Sequence, residues 1–329
     1  MSIFKKLSIV CTLFLSAIPH VVSAHVKWFA EPTDPIPPYK ITDTGVVIWI
    51  LISVAIILAG IYLERKLRVA GWLDKRLDAL VPIVLSLASI GFGLALVIFS
   101  LQGFVLAPNL PAENPFGSLL LILQAVAGLM ILLGFYERVG AILLLLAFSL
   151  GIAQYGALEM IDTLEVVGFA LFVFIVGRPK WRLREAKRIQ SFMSRFNSYG
   201  VPLLRIGTGL NLLVLGFSEK ILAPSLTQNF LAEYHWNFMQ ALGFEHFTNY
   251  WFAFSAGVVE SLFGIFLIFG LVTRLTTLVL AGFLITTLAL LGPEELVGHL
   301  PHFSIAVVLL VLGSGSHLRL IKTLPKGSS

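Results

Sequence analysis

Glu260 is the residue of this sequence with the strongest reason to do chemistry. It sits in VVESLFG, halfway along an apolar run over 249–270. An ionised carboxylate at the centre of a bilayer costs at least a few kcal/mol, so such a group faces a bundle interior, finds a partner or stays protonated. Depth arithmetic nominates the partners. Asn211 lies ten residues into the run 201–218, about 15 Å at the helical rise. Glu260 lies eleven residues, about 16 Å, into a run entered from the opposite face. The two are therefore expected level. Thr208, one turn before Asn211, shares its face, and Arg205 has a side chain long enough to reach up from the inner end. Lys220 lies about 14 Å beyond Asn211 by the same rise and is expected to meet Glu294 or Glu295 instead. The expectation is an Arg205–Glu260–Asn211 network with Glu260 as proton acceptor. The competing reading is interhelical glue, worth about 1–2 kcal/mol per hydrogen bond.

Histidines form the second set. A chain cleaved after Ala24 would begin at His25, whose amine and imidazole together suit Cu(II). His299 and His302, at i and i+3, share a helix face at the start of the last apolar run. With His25 they make a candidate copper site, set against ordinary hydrogen bonding by interfacial histidines. No H-E-x-x-H, G-x-S-x-G, P-loop or dinucleotide motif occurs. The only cysteine, Cys11, lies in the apolar N-terminal stretch. A mature chain would hold no disulfide, thiolate metal site or iron–sulfur cluster.

These residues need elements to hold them, and composition says which. Of 329 residues, 57% are hydrophobic and 12% charged, with mean hydropathy +0.92. Ordinary soluble enzymes carry about 25% charged residues, and a disordered chain needs low hydrophobicity. An all-α polytopic membrane protein remains. Residues 1–24, with Lys5 and Lys6 before a short apolar core and Val22-Ser23-Ala24 at its end, read as a signal peptide. An extracytoplasmic segment, 25–44, follows.

Nine transmembrane helices are then expected: 45–63, 82–106, 116–135, 139–156, 161–177, 201–218, 249–270, 275–292 and 300–314. Alternating them from an external start places seventeen Lys and Arg inside and only Lys27, Lys40 and Lys220 outside. The positive-inside rule then puts a multi-pass protein in the cytoplasmic (inner) membrane, its mature N-terminus outside and its C-terminus, 315–329, inside. The net charge of +5 belongs to those inner loops and to the bilayer as partner, and signals no nucleic acid. Outer carboxylates such as Glu159, Asp162 and Glu165 read as loop residues or as a cation-attracting vestibule.

Self-comparison divides the chain further. Residues 89–110 align with 205–226 at an offset of 116: Gly91 meets Gly207, Gly93 meets Gly209, and Ala107-Pro108 meets Ala223-Pro224. From Gly128 onward the offset is 136: Gly134 meets Gly270, Arg138 meets Arg274, Gly156 meets Gly292, and Gly177 meets Gly313. The 20-residue difference is an insertion around 227–248. Two parallel four-helix-bundle repeats, 82–177 and 201–314, thus follow one extra N-terminal helix, joined by a basic linker, 178–200. The glycine pairs read as close-packing positions.

The second unit resembles the DoxX-like family of integral membrane proteins. The residues that carry the likeness are Arg205-x-Gly207-x-Gly209, Gly216-x-x-x-Lys220, Glu260 and Gly270-x-x-x-Arg274. The first unit looks like a degenerate copy, with Ser89 for Arg205, Gly103 and Phe104 for Glu219 and Lys220, and Gln124 for Glu260. The resemblance implies a redox- or quinone-linked membrane subunit. Glu260 would then accept a quinone hydroxyl, with Thr208 and Lys220 beside it, and redox-complex subunits would be its partners. A small-solute or cation transporter or channel, and a non-catalytic assembly partner, are the alternatives.

Overall fold

The computed structural model describes residues 36–67, 76–178, 187–292 and 295–321. The expected signal peptide, His25 and Glu294 lie outside the described residues. Every regular element among the described residues is helical: α1 (Thr44–Leu67), α2 (Val81–Gln102), α3 (Pro115–Leu133), α4 (Glu137–Tyr155), α5 (Leu164–Ile175), α6 (Lys187–Ser194), α7 (Asn197–Leu215), α8 (Pro224–Glu233), α9 (Asn249–Phe269), α10 (Thr273–Leu291) and α11 (Glu295–Leu312).

Among the described residues, seven helices are long and apolar enough to cross a membrane. These are α1, α2, α3, α4, α7, α9 and α11 with their flanking turns, so the chain is a multi-pass, all-helical membrane protein. Two of the nine expected spans, 161–177 and 275–292, are not among these seven. The segment 161–177 opens with a 3₁₀ turn, Ile161–Thr163, and its α-helix is only 12 residues long. Twelve residues rise about 18 Å, less than a hydrocarbon core of about 30 Å. The other, α10, has 19 residues, as many as α3 and α4.

Helix ends follow local chemistry. Asn114 caps α3 by accepting from the Gly117 amide at 2.8 Å, with Pro115 in the first turn where no amide is needed. At the other end Gly134 turns left-handed (φ 72°), and Phe135 donates back to the Met130 carbonyl at 3.0 Å. Gly270 does the same after α9 (φ 64°), with Leu271 donating to Phe266 at 2.9 Å. The residues that open the next helices, Tyr136 (φ 51°) and Val272 (φ 38°), are both left-handed without being glycine. Such backbone costs about 1–3 kcal/mol and persists only where neighbours fix it. Glu64 of α1 fixes Val272 by accepting its amide at 2.8 Å.

Eight helices close a circuit in the order α2, α3, α4, α5, α7, α9, α10, α11 and back to α2. Glycines set the closest crossings. A methyl on Gly93 would meet the Gly128 carbonyl at 2.7 Å, and one on Gly209 would meet the Gly264 carbonyl at the same distance. Across the middle, Gly207 lies against Gly168 and Leu164, while Gly91 lies against Ser304 and Leu300. Each pair of partners is again 136 residues apart, and α5 and α11 both pack on the first helix of the other set. The one loose joint is between α9 and α10, which touch sparsely where α3 and α4 pack along each other. Gly282 of α10 has open space beside it.

Outside the circuit, α1 leans on α9, with Gly60 against Phe266 and Gly45 against Trp251. The segment before α1 is pinned by Tyr39, whose hydroxyl donates to the Tyr250 carbonyl at 2.8 Å. Burial, reinforced by Tyr250, holds that hydroxyl protonated well above the ordinary phenol range.

Candidate functional site

Four arginines mark one end of the bundle, and each of them donates to backbone carbonyls. Arg138 donates to the Phe174 carbonyl at 2.7 Å and Arg274 to Leu310 at 2.9 Å, positions 136 apart. Arg178 donates to Ile131 and Leu132, and Arg205 to Leu267 and Ile268, again 136 apart. The last carbonyls of a helix have no partner within it and carry partial negative charge, so a guanidinium satisfies both needs.

This overturns the expected role of Arg205. It is fully buried and also donates to the carbonyls of Ser314 (3.0 Å), His317 (3.3 Å) and Leu318. All of its donor groups are directed to main chain. The Leu267 carbonyl lies seven residues, about 10 Å, further along α9 than Glu260. Asn211 departs too: buried at 1% exposure, it accepts from the Leu164 amide at 3.0 Å and so caps α5. Thr208 donates to the Leu204 carbonyl of its own helix at 2.9 Å. The Arg205–Glu260–Asn211 network is not formed.

Glu260 meets Lys220 instead, at 2.7 Å between Nζ and Oε2. Register explains the difference. Gly209 faces Gly264 and Ile268, and Gly216 faces Gly257 and Ser261, which puts Glu260 level with the end of α7 rather than with Asn211. From there Lys220 is about 7.5 Å away along the axis. The helix also changes winding at this point: Gly216–Ile221 is a π turn. A π turn rotates the following side chains off the α-helical course, a distortion frequent at functional sites. It lays the Lys220 stem over Gly257, one turn before Glu260, where a methyl would approach Lys220 Cβ to 2.9 Å. Glu219, 1% exposed, adds a carboxylate 4.0 Å from Lys220 Nζ. The pair is half-buried, with Lys220 14% and Glu260 21% exposed.

The expected partnership of Lys220 with Glu295 is likewise replaced. Glu295 lies 3.8 Å from His299 Nδ1. His302 faces Glu165 at 3.7 Å, and the two imidazole rings are 6.2 Å apart. Among the described residues no group of three or more His, Cys, Asp and Glu could hold a metal ion. His299 and His302 thus each face a glutamate, and His25 lies outside the described residues.

Sequence reasoning missed Asp162 and Glu165, taken for loop carboxylates, and Arg178, taken for linker. Asp162 and Glu165 are buried at the start of α5, and Arg178 pairs with buried Glu137. Their signals were the i, i+3 spacing of the two acids and a basic residue directly after Gly177.

Residues 200–293 match the DoxX family, so this stretch, with Arg205, Lys220, Glu260 and Arg274, carries a DoxX domain. Glu165, His299 and His302 fall outside it. No curated protein and no solved structure matches the chain.

Proposed function

We propose that the chain is a redox-linked membrane subunit that takes a quinone headgroup at Lys220 and Glu260. The observation that carries this reading is the half-buried 2.7 Å ion pair on a π turn inside an apolar bundle. A quinone carbonyl accepts hydrogen bonds and a quinol hydroxyl donates them. The Lys220 ammonium donates and the Glu260 carboxylate accepts, so the pair is complementary to both forms and can exchange a proton with the bound ring. The sparse joint between α9 and α10 leaves a side entrance for an isoprenoid tail from the bilayer.

In the same proposal α5 and α10 complete nine spans, the arginine end faces the cytoplasm, and a leader ends at Ala24. The protein resides in the inner membrane beside other redox subunits. Its two four-helix units are copies of one ancestor, a reading supported by equivalent glycine turns and arginine caps 136 residues apart.

The test uses full-length protein in lipid nanodiscs and a photoreactive short-chain benzoquinone, with adducts mapped by mass spectrometry. Labelling is expected on 216–222 and on α9 around Glu260, competed by unlabelled quinone. It should fall at least about tenfold in Lys220→Met and Glu260→Gln, since each removes a charge-assisted hydrogen bond. Labelling spread evenly over the lipid-facing helices, or unchanged in both variants, rejects the site.

A further inference from the structure

A second polar site lies where α2, α5 and α11 meet, outside the DoxX match. It is a narrow pocket walled by Phe92, Leu96, Phe99 and Leu106, with Asp162, Glu165 and His302 on its polar side. Glu165 is 6% exposed, and its Oε2 has no hydrogen-bond partner. Its Oε1 stands 3.7 Å from His302 Nε2, beyond direct hydrogen-bond range. Polar groups at that separation are commonly joined through water, and the pocket has room for about one. A carboxylate this buried is tolerated when it is neutralised or paired.

We propose that Glu165 and His302 share a single proton through one water and form a proton relay on the pseudo-symmetric seam of the bundle. In the transfer, the water takes the proton from His302 Nε2 and gives one to Glu165 Oε1. Imidazolium and carboxylate become imidazole and carboxylic acid; no electron moves. The charged groups that face the pair form the rest of the path. His299 lies beyond His302 on α11, with Glu295 beside it at the helix start. Asp162 precedes Glu165 and lines the same pocket, while Lys220 and Glu219 stand together on the π turn. On the quinone reading, the relay would run from the Glu295 end of α11 towards Lys220 and Glu260. That destination rests on the quinone reading; the sharing of the proton does not.

The experiment takes full-length protein in nanodiscs, labelled with ¹⁵N-histidine, and follows the His302 ring nitrogens against pH beside the infrared carboxyl band. Coupled groups titrate as a unit. The His302 signal and a carboxyl band absent from Glu165→Gln are expected to share one midpoint. The His302 midpoint should move by about one pH unit or more in Glu165→Gln, as loss of a charge partner does. Glu295→Gln should leave it in place. A His302 midpoint unchanged in Glu165→Gln overturns the proposal. Should that variant not fold, His302→Gln decides: the relay requires the carboxyl band to shift, and an unshifted band overturns it. Photolabelling by the quinone probe is read separately in each variant. Failure of the quinone site would leave the shared titration intact, and failure of the relay would leave the labelling intact.

Discussion

At residue 124 the bundle buries an amide; at 260, the matching place, it keeps a carboxylate. Gln124 is fully buried and satisfied by main chain. It accepts from the Leu106 amide at 2.6 Å and donates to the carbonyls of Leu96 and Phe104 at 3.0 and 3.1 Å. A short loop closes over it, tied where Ala112 donates to Gly103 at 2.9 Å. Glu260 meets a lysine on a π turn instead, and the loop beyond is the inserted stretch that carries α8. That insertion packs Phe230 and Leu231 against Ala253 of α9, and Trp236 stacks towards Phe283 of α10. It thus stands between α9 and α10 at the end where they part. Both places sit beside a close glycine crossing, Gly93 on Gly128 and Gly209 on Gly264. What separates the two places is one residue exchange, one change of winding and one inserted helix.

If the scaffold is common, damage to it should be equal on the two sides. Gly93→Leu and Gly209→Leu each force a side chain into a helix backbone at 2.7 Å. Neither backbone can yield without parting the helices, so both variants are expected to lose folded protein almost entirely. Size-exclusion yield in detergent checks this. A fully folded Gly209→Leu beside an unfolded Gly93→Leu would break the equivalence.

The arginine caps should differ, and in a stated direction. Arg178 and Arg205 satisfy equivalent carbonyls, but Arg178 also pairs with buried Glu137, and the matching place in the other unit is Thr273. Arg178→Ala strands a carboxylate and is expected to destabilise by about 3–5 kcal/mol. Arg205→Ala strands carbonyls only, and water can reach those of Ser314, His317 and Leu318, so a smaller loss of about 1–3 kcal/mol is expected. Thermal or denaturant unfolding in one detergent ranks them. Adding Glu137→Gln should restore most of the Arg178→Ala loss and do nothing for Arg205→Ala.

The same contrast explains which parts were legible in sequence. Helices were, because runs near 20 apolar residues have few other uses. So were the glycine turns at 134 and 270 and the paired Arg138 and Arg274, since self-comparison exposes them without any knowledge of depth. The partner of Glu260 was not. Depth counted from a span's start inherits every error in that start: α7 begins at Asn197, not near 201, and α9 crosses it in a register set by glycines. A shift of four residues is about 6 Å, more than a hydrogen bond can absorb. The π turn carries no composition signal of its own. Arg205 was misread for another reason. A buried arginine suggests an acid partner, yet here the unsatisfied carbonyls at two chain ends supply all the acceptors. Glu165 looked like a loop residue because a twelve-residue helix after a 3₁₀ turn begins deeper than a full span would.

The finest test exchanges the two side chains themselves. Gln124→Glu puts a carboxylate where the nearest acceptors are carbonyls and where Phe104 stands in the place of Lys220. It loses the two donor bonds of the amide and must stay protonated, so destabilisation of about 2–4 kcal/mol is expected. Glu260→Gln is the gentler half. The amide oxygen can still lie beside Lys220, and Lys220 keeps the Glu219 carboxylate 4.0 Å away, so its charge is not left alone. The expected cost is under about 1 kcal/mol, near the median of partly exposed ion pairs. Quinone labelling is nevertheless expected to drop, because an amide cannot take up a quinol proton. The sign of the pH effect follows from the same step. An ionised carboxylate gives the site a proton acceptor, whereas a protonated acid and an amide look alike to the quinol. Labelling by the quinone probe should therefore separate wild type from Glu260→Gln at high pH and converge at low pH. Parallel profiles at every pH would make Glu260 a structural partner of Lys220, no different in kind from Gln124.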